Sequence, residues 1–433
     1  MPYPGRGHIN PMMNFCKLLA TKFSVKEDIR ITFVVTEEWL GFLGSETKSR
    51  LPPQIQLKSI PNVIPSELMR GLDHKGFFEA VQTKMEEPFE QILDQLQQDD
   101  DPSMVVTAIL ADTLLPWAVS VGNRRNIAMV SLWTTSPSLF SIVYHTDRSI
   151  SLQLIDYIPG VAPIRLSDMP ACFEAVSAVR NTRCLLLTTY HELEPRVTKT
   201  LMEILPVPVY TVGPSIPLPT TLVDDHAKMD TEDYYVEWLD SQPENSVLYV
   251  SFGSFLSASS DQMEEILGGL RQSGARYLLV SRGGKDNKMD NSRGIVVPWC
   301  DQLKVLCHPS VGGFWTHCGW NSTLEGIYAG IPLLTFPVGL DQFTNRKLIV
   351  DYWNIGMNVM KKDGAERLVT REDVSSTVRK FMNLDGDDEE SKDMRTRASE
   401  FKKSCRQALT EGGSSTTNLD NFIRNILQYN LFF

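Results

Sequence analysis

Short, continuous apolar runs alternate along the chain with longer stretches in which apolar residues recur every three or four positions. The runs R-I-T-F-V-V-T at 30–36, M-V-V-T-A-I-L-A at 104–111, I-A-M-V-S-L at 127–132 and C-L-L-L-T-T-Y at 184–190 have little polar alternation. Runs of that kind read as strands buried on both faces, the condition of a parallel sheet. Between them, 77–97 and 114–124 read as helices, and a glycine-rich opening, M-P-Y-P-G-R-G-H-I-N-P, leads into a helix from about Asn10 to Lys22. A stretch rich in Pro, Ser, Thr and acid, 213–245, interrupts the alternation and reads as a linker. The alternation then restarts with a strand at 246–252, a helix at 260–272, a strand at 277–281 and a strand at 311–316. A helix from about Ser322 to Ala329 and a short strand, L-L-T-F-P, follow. The last hundred residues are mostly helical, with a charged, solvated run at 385–404 and a final helix at about 416–428.

This order predicts an α/β protein with two doubly wound, Rossmann-like domains: 1–212, a linker at 213–245, 246–415, and a C-terminal helix within 416–433. At 433 residues the chain is long enough for two such cores. Ligands of open α/β sheets bind outside the carboxyl ends of the strands, so both domains are expected to face a common cleft. A doubly wound domain normally has its first strand before its first glycine turn. Almost nothing precedes that turn here, so the first strand is expected to be missing or reduced to Tyr3 and its neighbours.

Composition narrows the function. With 42% hydrophobic and 22% charged residues the chain has the make-up of an ordinary soluble globular protein. Its 42 basic against 53 acidic side chains leave a net charge of -11, and no basic stripe stands out, which argues against a nucleic-acid partner. Seven scattered cysteines, an odd number, suit a reducing cytoplasm better than a disulfide framework. There is no apolar run of membrane-spanning length and no secretory leader. Cys300, Cys307, His308, His317 and Cys318 lie close in sequence, but two of the pairs are adjacent and no C-x-x-C occurs, so no metal site is expected.

The densest chemistry lies between Trp299 and Gln342: W-C-D-Q at 299–302, H-C-G-W-N-S-T-L-E at 317–325 and D-Q at 341–342. A strand ending at a glycine turn that opens a helix aims the helix's free N–H groups and positive dipole end at what lies beyond, which makes an anion site. Ser322 and Glu325 also have the spacing of an N-terminal capping box, and Trp299 could be an ordinary core tryptophan. In the first half, His8 sits in the opening turn and Asp112 ends the strand at 104–111. An imidazole oriented by a carboxylate is a suitable base near neutral pH, yet either residue could equally be a helix cap.

The whole Trp299–Gln342 segment resembles the plant secondary-product glycosyltransferase box, the donor-binding signature of the family 1 UDP-glycosyltransferases, with Asp301 standing where many members have proline. G-H-I-N-P and D-T-L-L-P-W-A match where that family places its catalytic histidine and partner aspartate. The resemblance implies a GT-B fold whose last helix crosses back onto the first domain, with His8 and Asp112 catalytic. Trp299 would stack on uracil beside the Cys300 backbone, Glu325 would hold the ribose hydroxyls, Gln302 would lie near the nucleoside, and Ser281 could add a uridine contact. His317, Asn321, Ser322 and the helix start at Gly319 would hold the diphosphate, with Ser254 opposite. Trp320, Asp341 and Gln342 would read the sugar and point to glucose. The implied reaction is inverting and metal-independent, needs no cofactor, and moves glucose from UDP-glucose to a hydroxyl or carboxyl of a small hydrophobic acceptor. The resemblance further implies a cytoplasmic, monomeric plant enzyme of secondary metabolism.

Two other readings stand beside it. The shortened opening, and segments at 145–157 and 171–184 that are shorter than the family's, fit a nucleotide-sugar binder with little or no turnover. A nicotinamide-dependent oxidoreductase rests only on G-R-G-H-I-N, which lacks the third glycine of the dinucleotide fingerprint.

Overall fold

The computed structural model describes residues 1–23, 29–49, 51–70, 73–98, 105–146, 154–155, 164–165, 170–216, 234–253, 259–281, 289–291, 293–359, 368–384, 386 and 388–427. The chain forms two compact units. One comprises 1–153, 165–218 and 408–433, the other 154–164 and 219–407. The handover at 218 and 219 falls inside the stretch read as a linker. Residues 217–233 of that stretch are outside the described residues, and Tyr234–Asp240 is a helix.

In the first unit, β1 (Ile31–Thr36) pairs in parallel with β2 (Ile55–Ile60), with Ile31 opposite Ile55 and Thr36 opposite Ile60. A four-stranded parallel sheet runs β3 (Ala108–Asp112), β4 (Ala128–Trp133), β5 (Cys184–Leu187), β6 (Val209–Thr211) in that spatial order. Met1 continues this sheet by one residue. Its ammonium donates to the Leu110 carbonyl at 2.8 Å, and its own carbonyl accepts from the Asp112 amide at 3.0 Å. The opening helix α1 (Arg6–Lys22) starts four residues earlier than the sequence suggests. Gly5 is extended and its carbonyl takes the His8 and Ile9 amides at 2.9 Å each, so Pro11 lies inside the helix and His8 in its first turn. The helix expected at 77–97 is two, His74–Lys84 and α2 (Glu86–Gln98). Pro88 fits the break, since it has no N–H to bond the carbonyl four residues before it and its ring is accommodated best in a helix's first turn. Helix α3 (Pro116–Arg124) follows β3, and α4 (Pro137–His145) follows β4.

The C-terminal helix α9 (Ser414–Phe422) belongs to the first unit's core, although the second unit's residues 219–407 precede it in the chain. Phe422 lies between Phe15 and Tyr210, with ring centroids 6.1 Å from each. Ser415 Oγ donates to the Gly213 carbonyl at 2.6 Å, and Asn418 Nδ2 to Thr211 Oγ1 at 2.8 Å.

The second unit has a seven-stranded sheet. Its strands are β7 (Val247–Ser251), β8 (Arg276–Val280), β9 (Met289–Asn291), β10 (Gly294–Val297), β11 (Val311–Thr316), β12 (Leu333–Thr335) and β13 (Gly356–Asn358), ordered β9-β10-β8-β7-β11-β12-β13 in space. All pairs are parallel except β9 with β10. From β10 to β13 this is the 3-2-1-4-5-6 order of the dinucleotide-binding fold, and it places the switch point between β7 and β11. The central strands β7, β11 and β12 are buried along their whole length because both faces are covered. On one face, α5 (Ser260–Ser273) and α7 (Arg371–Phe381) pack on Leu248, Val250 and Trp315. Helix α6 (Trp320–Ala329) follows β11, and α8 (Glu389–Leu409) carries the charged run.

Candidate active site

In the first unit three side chains meet at the carboxyl edge of the sheet. Asp112 ends β3, Thr134 follows β4, and His8 comes from the first turn of α1. His8 Nδ1 lies 2.8 Å from Asp112 Oδ2 and 2.8 Å from Thr134 Oγ1. The other Asp112 oxygen accepts the Leu114 amide at 2.9 Å. A carboxylate held this way fixes the imidazole with its proton on Nδ1 and leaves Nε2 as the basic nitrogen. The Asp112 side chain is 1% exposed and that of His8 18%, so the carboxylate is sealed while the ring keeps an open edge. Tyr3, whose ring centroid is 5.0 Å from that of His8, limits where the ring can turn. Neither His8 nor Asp112 is spent on capping α1 or α3. Thr134 was not legible as a participant. The available signal was its position, one residue past β4, matching that of Asp112 at the end of β3.

In the second unit the Trp299–Gln342 segment gathers at the carboxyl ends of β7 and β11. Trp299 is 51% exposed, which removes the core-tryptophan reading and leaves an indole face open to a planar ligand. Behind it Cys300 is buried, its thiol 3.4 Å from the Tyr249 hydroxyl, which also donates to Gln302 Oε1 at 3.3 Å. Asp301 caps the short helix Gln302–Leu306 by accepting the Lys304 amide. Gln302 Nε2 donates to Ser322 Oγ at 3.0 Å and to Glu325 Oε2 at 2.7 Å.

The capping-box reading of Ser322 and Glu325 is corrected by the start of α6. The helix begins at Trp320 with Gly319, which has no side chain to cap it, at its start. Ser322 and Glu325 are therefore inside the helix, facing Gln302. Burial raises the Glu325 carboxyl to about 7, against the opposing effect of the Gln302 hydrogen bond.

His317 follows β11 and is enclosed by two glycines. A Cβ at Gly253, which has φ +77, would come within 2.7 Å of its Nε2, and one at Gly319 within 2.5 Å. Burial pushes the imidazole down to about 4, so it is neutral near pH 7. Cys318 holds the left-handed conformation at φ +67 that turns the chain from β11 into α6. Its amide donates to Thr316 Oγ1, and its carbonyl takes Asn345 Nδ2 at 2.9 Å. Asn345, fully buried and missed in the sequence, also donates to Asp341 Oδ2 at 2.8 Å and so fixes that carboxylate. Gln342 Oε1 accepts the Val338 and Gly339 amides, tying the loop after β12. Trp320 is buried, with its ring centroid 6.4 Å from that of Trp353. Ser281 sits just past β8, its amide donating to the Val297 carbonyl at 2.9 Å, and Asn321 is half-buried in the first turn of α6. Ser254 lies outside the described residues.

A family model described as UDP-glucoronosyl and UDP-glucosyl transferase matches residues 136–392, more than half of the chain. UDP-glycosyltransferase 87A2 of Arabidopsis thaliana is 46% identical, over 99% of this chain and 96% of its own length. The chain belongs to the UDP-glycosyltransferase family. UDP-glycosyltransferase 87A1 of the same plant is 45% identical, over 98% of this chain and 99% of its own. Among solved structures, Medicago truncatula UGT71G1 complexed with UDP-glucose superposes with TM-score 0.77 at 25% identity, covering 98% of this chain and 97% of that one. Os79 from O. sativa in complex with UDP gives 0.81 at 26% identity, covering 98% and 99%. The fold is accordingly that of the GT-B UDP-glycosyltransferases, and the chemistry of the family is transfer of a sugar from a UDP-sugar.

Proposed function

We propose that this UDP-glycosyltransferase moves glucose from UDP-glucose to a hydroxyl or carboxyl of a small hydrophobic acceptor, with inversion, giving a β-glucoside. The observation that carries the reading is the 2.8 Å contact of His8 Nδ1 with the buried Asp112 carboxylate, which leaves Nε2 free to accept a proton. The acceptor oxygen attacks the anomeric carbon as its proton passes to His8 Nε2. The bond from that carbon to the β-phosphate oxygen breaks, and UDP leaves with the electron pair on the opposite face. Asp112 stabilises the imidazolium so formed.

On the donor side, Trp299 stacks on uracil beside the Cys300 backbone, with Ser281 nearby, and Glu325 takes the ribose hydroxyls, oriented by Gln302. The amides at the start of α6, with Gly319 at its cap, Asn321, Ser322, neutral His317 and Ser254, receive the diphosphate charge, so the reading calls on no metal or cofactor. Trp320, Asp341 and Gln342 set the sugar pocket. Glucose is favoured by Trp320 and the closing Gln342 of the box, and by the neighbour complexed with UDP-glucose. A small apolar acceptor is favoured by a Phytolacca americana neighbour, 27% identical, that is complexed with UDP-2-fluoro-glucose and pterostilbene. In this reading the enzyme acts as a cytoplasmic monomer in secondary metabolism.

The test is to offer UDP-glucose with a panel of phenolic, terpenoid and hormone-like alcohols and acids, following UDP release and the anomeric proton of the product. A β-linked glucoside is expected. No UDP release with any acceptor, together with calorimetric UDP binding, would favour a non-catalytic binder, and an α-linked product would remove the inverting mechanism.

Two smaller effects follow. Trp299→Ala is expected to weaken UDP binding about tenfold, near the ~1.4 kcal/mol of a base stacked on an aromatic face, while Trp299→Phe retains most of it. Calorimetry reads both. Thr134→Val removes one partner of His8 Nδ1 and leaves Asp112 in place. A loss in kcat of about fivefold is expected, the worth of ~1 kcal/mol for one hydrogen bond, with KM for UDP-glucose unchanged.

A further inference from the structure

The turn that carries His8 is gripped by a residue from a distant part of the chain. Arg70 comes from the stretch that follows β2, and its Nη1 donates to the Pro4 carbonyl at 3.3 Å. Its Nη2 pairs with Glu67 Oε1 at 3.0 Å, and the guanidinium carbon lies 5.7 Å from the centre of the Phe77 ring. The Arg70 and Glu67 side chains are 8% and 12% exposed, so the pair is largely withdrawn from water. Glu67 is held in turn by Glu38, at the start of the helix that follows β1. One Glu38 oxygen accepts the Glu67 amide at 2.9 Å and the other accepts the Ser66 hydroxyl.

Gly5 shows how closely the guanidinium sits. A Cβ there would lie 2.3 Å from Arg70 Nη1 and 3.4 Å from its Cζ. The Gly5 φ of -171° is ordinary extended backbone, open to any residue, so what glycine supplies here is room. The Gly5 carbonyl then takes the His8 and Ile9 amides and starts α1. Arg70 therefore packs on the peptide whose orientation sets the first turn of the helix, and with it the place of the His8 ring.

Stability alone is a weak reason for such an arginine. Burial lowers the guanidinium from its ordinary value, with Glu67 opposing, so the charged form is held here at a cost. A buried ion pair is often no better for stability than apolar side chains of similar volume. What a guanidinium adds over methionine or leucine is a rigid fork that binds two acceptors in a set geometry. The two acceptors here are the Glu67 carboxylate and the Pro4 carbonyl, which belong to different segments of the chain.

We propose that Arg70 is a positioning residue for the transfer reaction: braced by Glu67, it fixes the Pro4–Gly5 peptide and through it holds the His8 imidazole against Asp112. The proposal rests on the reading of His8 as the base. A reacting group misplaced by about 1 Å can cost on the order of 10²-fold in rate, even when the residue that was changed lies away from the chemistry. Arg70 acts on the rate in this way without touching the substrate.

The test compares Arg70→Met, Arg70→Lys and Gly5→Ala in the full chain. Arg70→Met is expected to lower kcat by about ten- to a hundredfold, while KM for UDP-glucose and calorimetric UDP binding stay within about twofold of the parent. Arg70→Lys keeps the charge but not the fork, and should fall between the two. Gly5→Ala, whose Cβ displaces the guanidinium, should reproduce the loss with Arg70 intact. In the His8→Ala background Arg70→Met should cost less than about twofold more, because a residue that acts through His8 has nothing left to place. The full loss repeated in that background overturns the proposal, and so does an Arg70→Met kcat within about twofold of the parent. If Arg70→Met fails to fold, Gly5→Ala carries the same comparison in both backgrounds. Nitrogen-15 NMR of the histidine ring gives a readout without turnover. The His8 Nδ1 proton bonded to Asp112 is expected in the parent and should be weakened or lost in Arg70→Met and Gly5→Ala; an unchanged signal in both overturns the proposal. A parent that forms no glucoside with any acceptor counts against the proposed function, while Arg70 is still judged by the ring signal.

Discussion

Replacing His8 with alanine is expected to lower kcat by about 10² to 10⁴-fold, the usual contribution of a positioned general base. Binding of UDP should stay within about twofold of the parent, because a base acts on the transition state and adds little to donor affinity. Asp112→Asn should fall in the same range for a different reason. The amide side chain it introduces could still meet His8 Nδ1, but it would favour the tautomer with the proton on Nε2, the nitrogen that has to accept one. The two losses should not add, since Asp112 works through His8. Steady-state rates on both single variants and the double variant, with UDP binding by calorimetry, check this. If His8→Ala kept more than about a tenth of the parent kcat, the base would have to be another group.

The parts of this arrangement that were legible in the sequence are those whose physics is local. Strands covered on both faces must be apolar along their length, so β3, β4, β7 and β11 could be placed within a few residues. Several edge and short strands escaped notice. β2, I-Q-L-K-S-I, is only half-buried and mixes polar with apolar residues, and β6 and β13 are three residues each. The start of α6 was misplaced because S-x-x-E is a sound cap signal that the chain uses otherwise, pointing both side chains at Gln302. Thr134 and Asn345 were invisible for a further reason. Thr134 reaches His8 across 126 positions and Asn345 reaches the Cys318 carbonyl across 27, and nothing local marks either contact. In the first unit an imidazole is oriented from the ends of two strands and the start of a helix. The second unit holds a helix with glycine at its cap, a neutral histidine between two glycines and a buried carboxyl raised to about 7.

That carboxyl leads to the second large effect. Glu325→Ala is expected to weaken UDP binding about 10²-fold, the ~3 kcal/mol of two hydroxyl hydrogen bonds to a charged acceptor. It should also remove a pH dependence that the parent shows. In the free protein burial holds the Glu325 carboxyl at about 7, so near neutrality a large fraction is protonated. If, as proposed, the ribose hydroxyls donate to the ionised form, binding releases a proton from Glu325 when the pH is below that value. Affinity is therefore full above about pH 8 and falls as pH drops through 7, by up to about tenfold per unit, until the lowered value in the complex is reached. The β-phosphate of UDP titrates near pH 6 and adds its own slope. Glu325→Gln separates the two, because the amide keeps the contact with Gln302 within reach but cannot ionise. Calorimetric titrations between pH 6 and 8, in two buffers of different ionisation enthalpy, read the proton released directly. The expected result is a steeper pH dependence and a larger proton release for the parent than for Glu325→Gln. Matching slopes would mean that Glu325 does not carry the ribose contact.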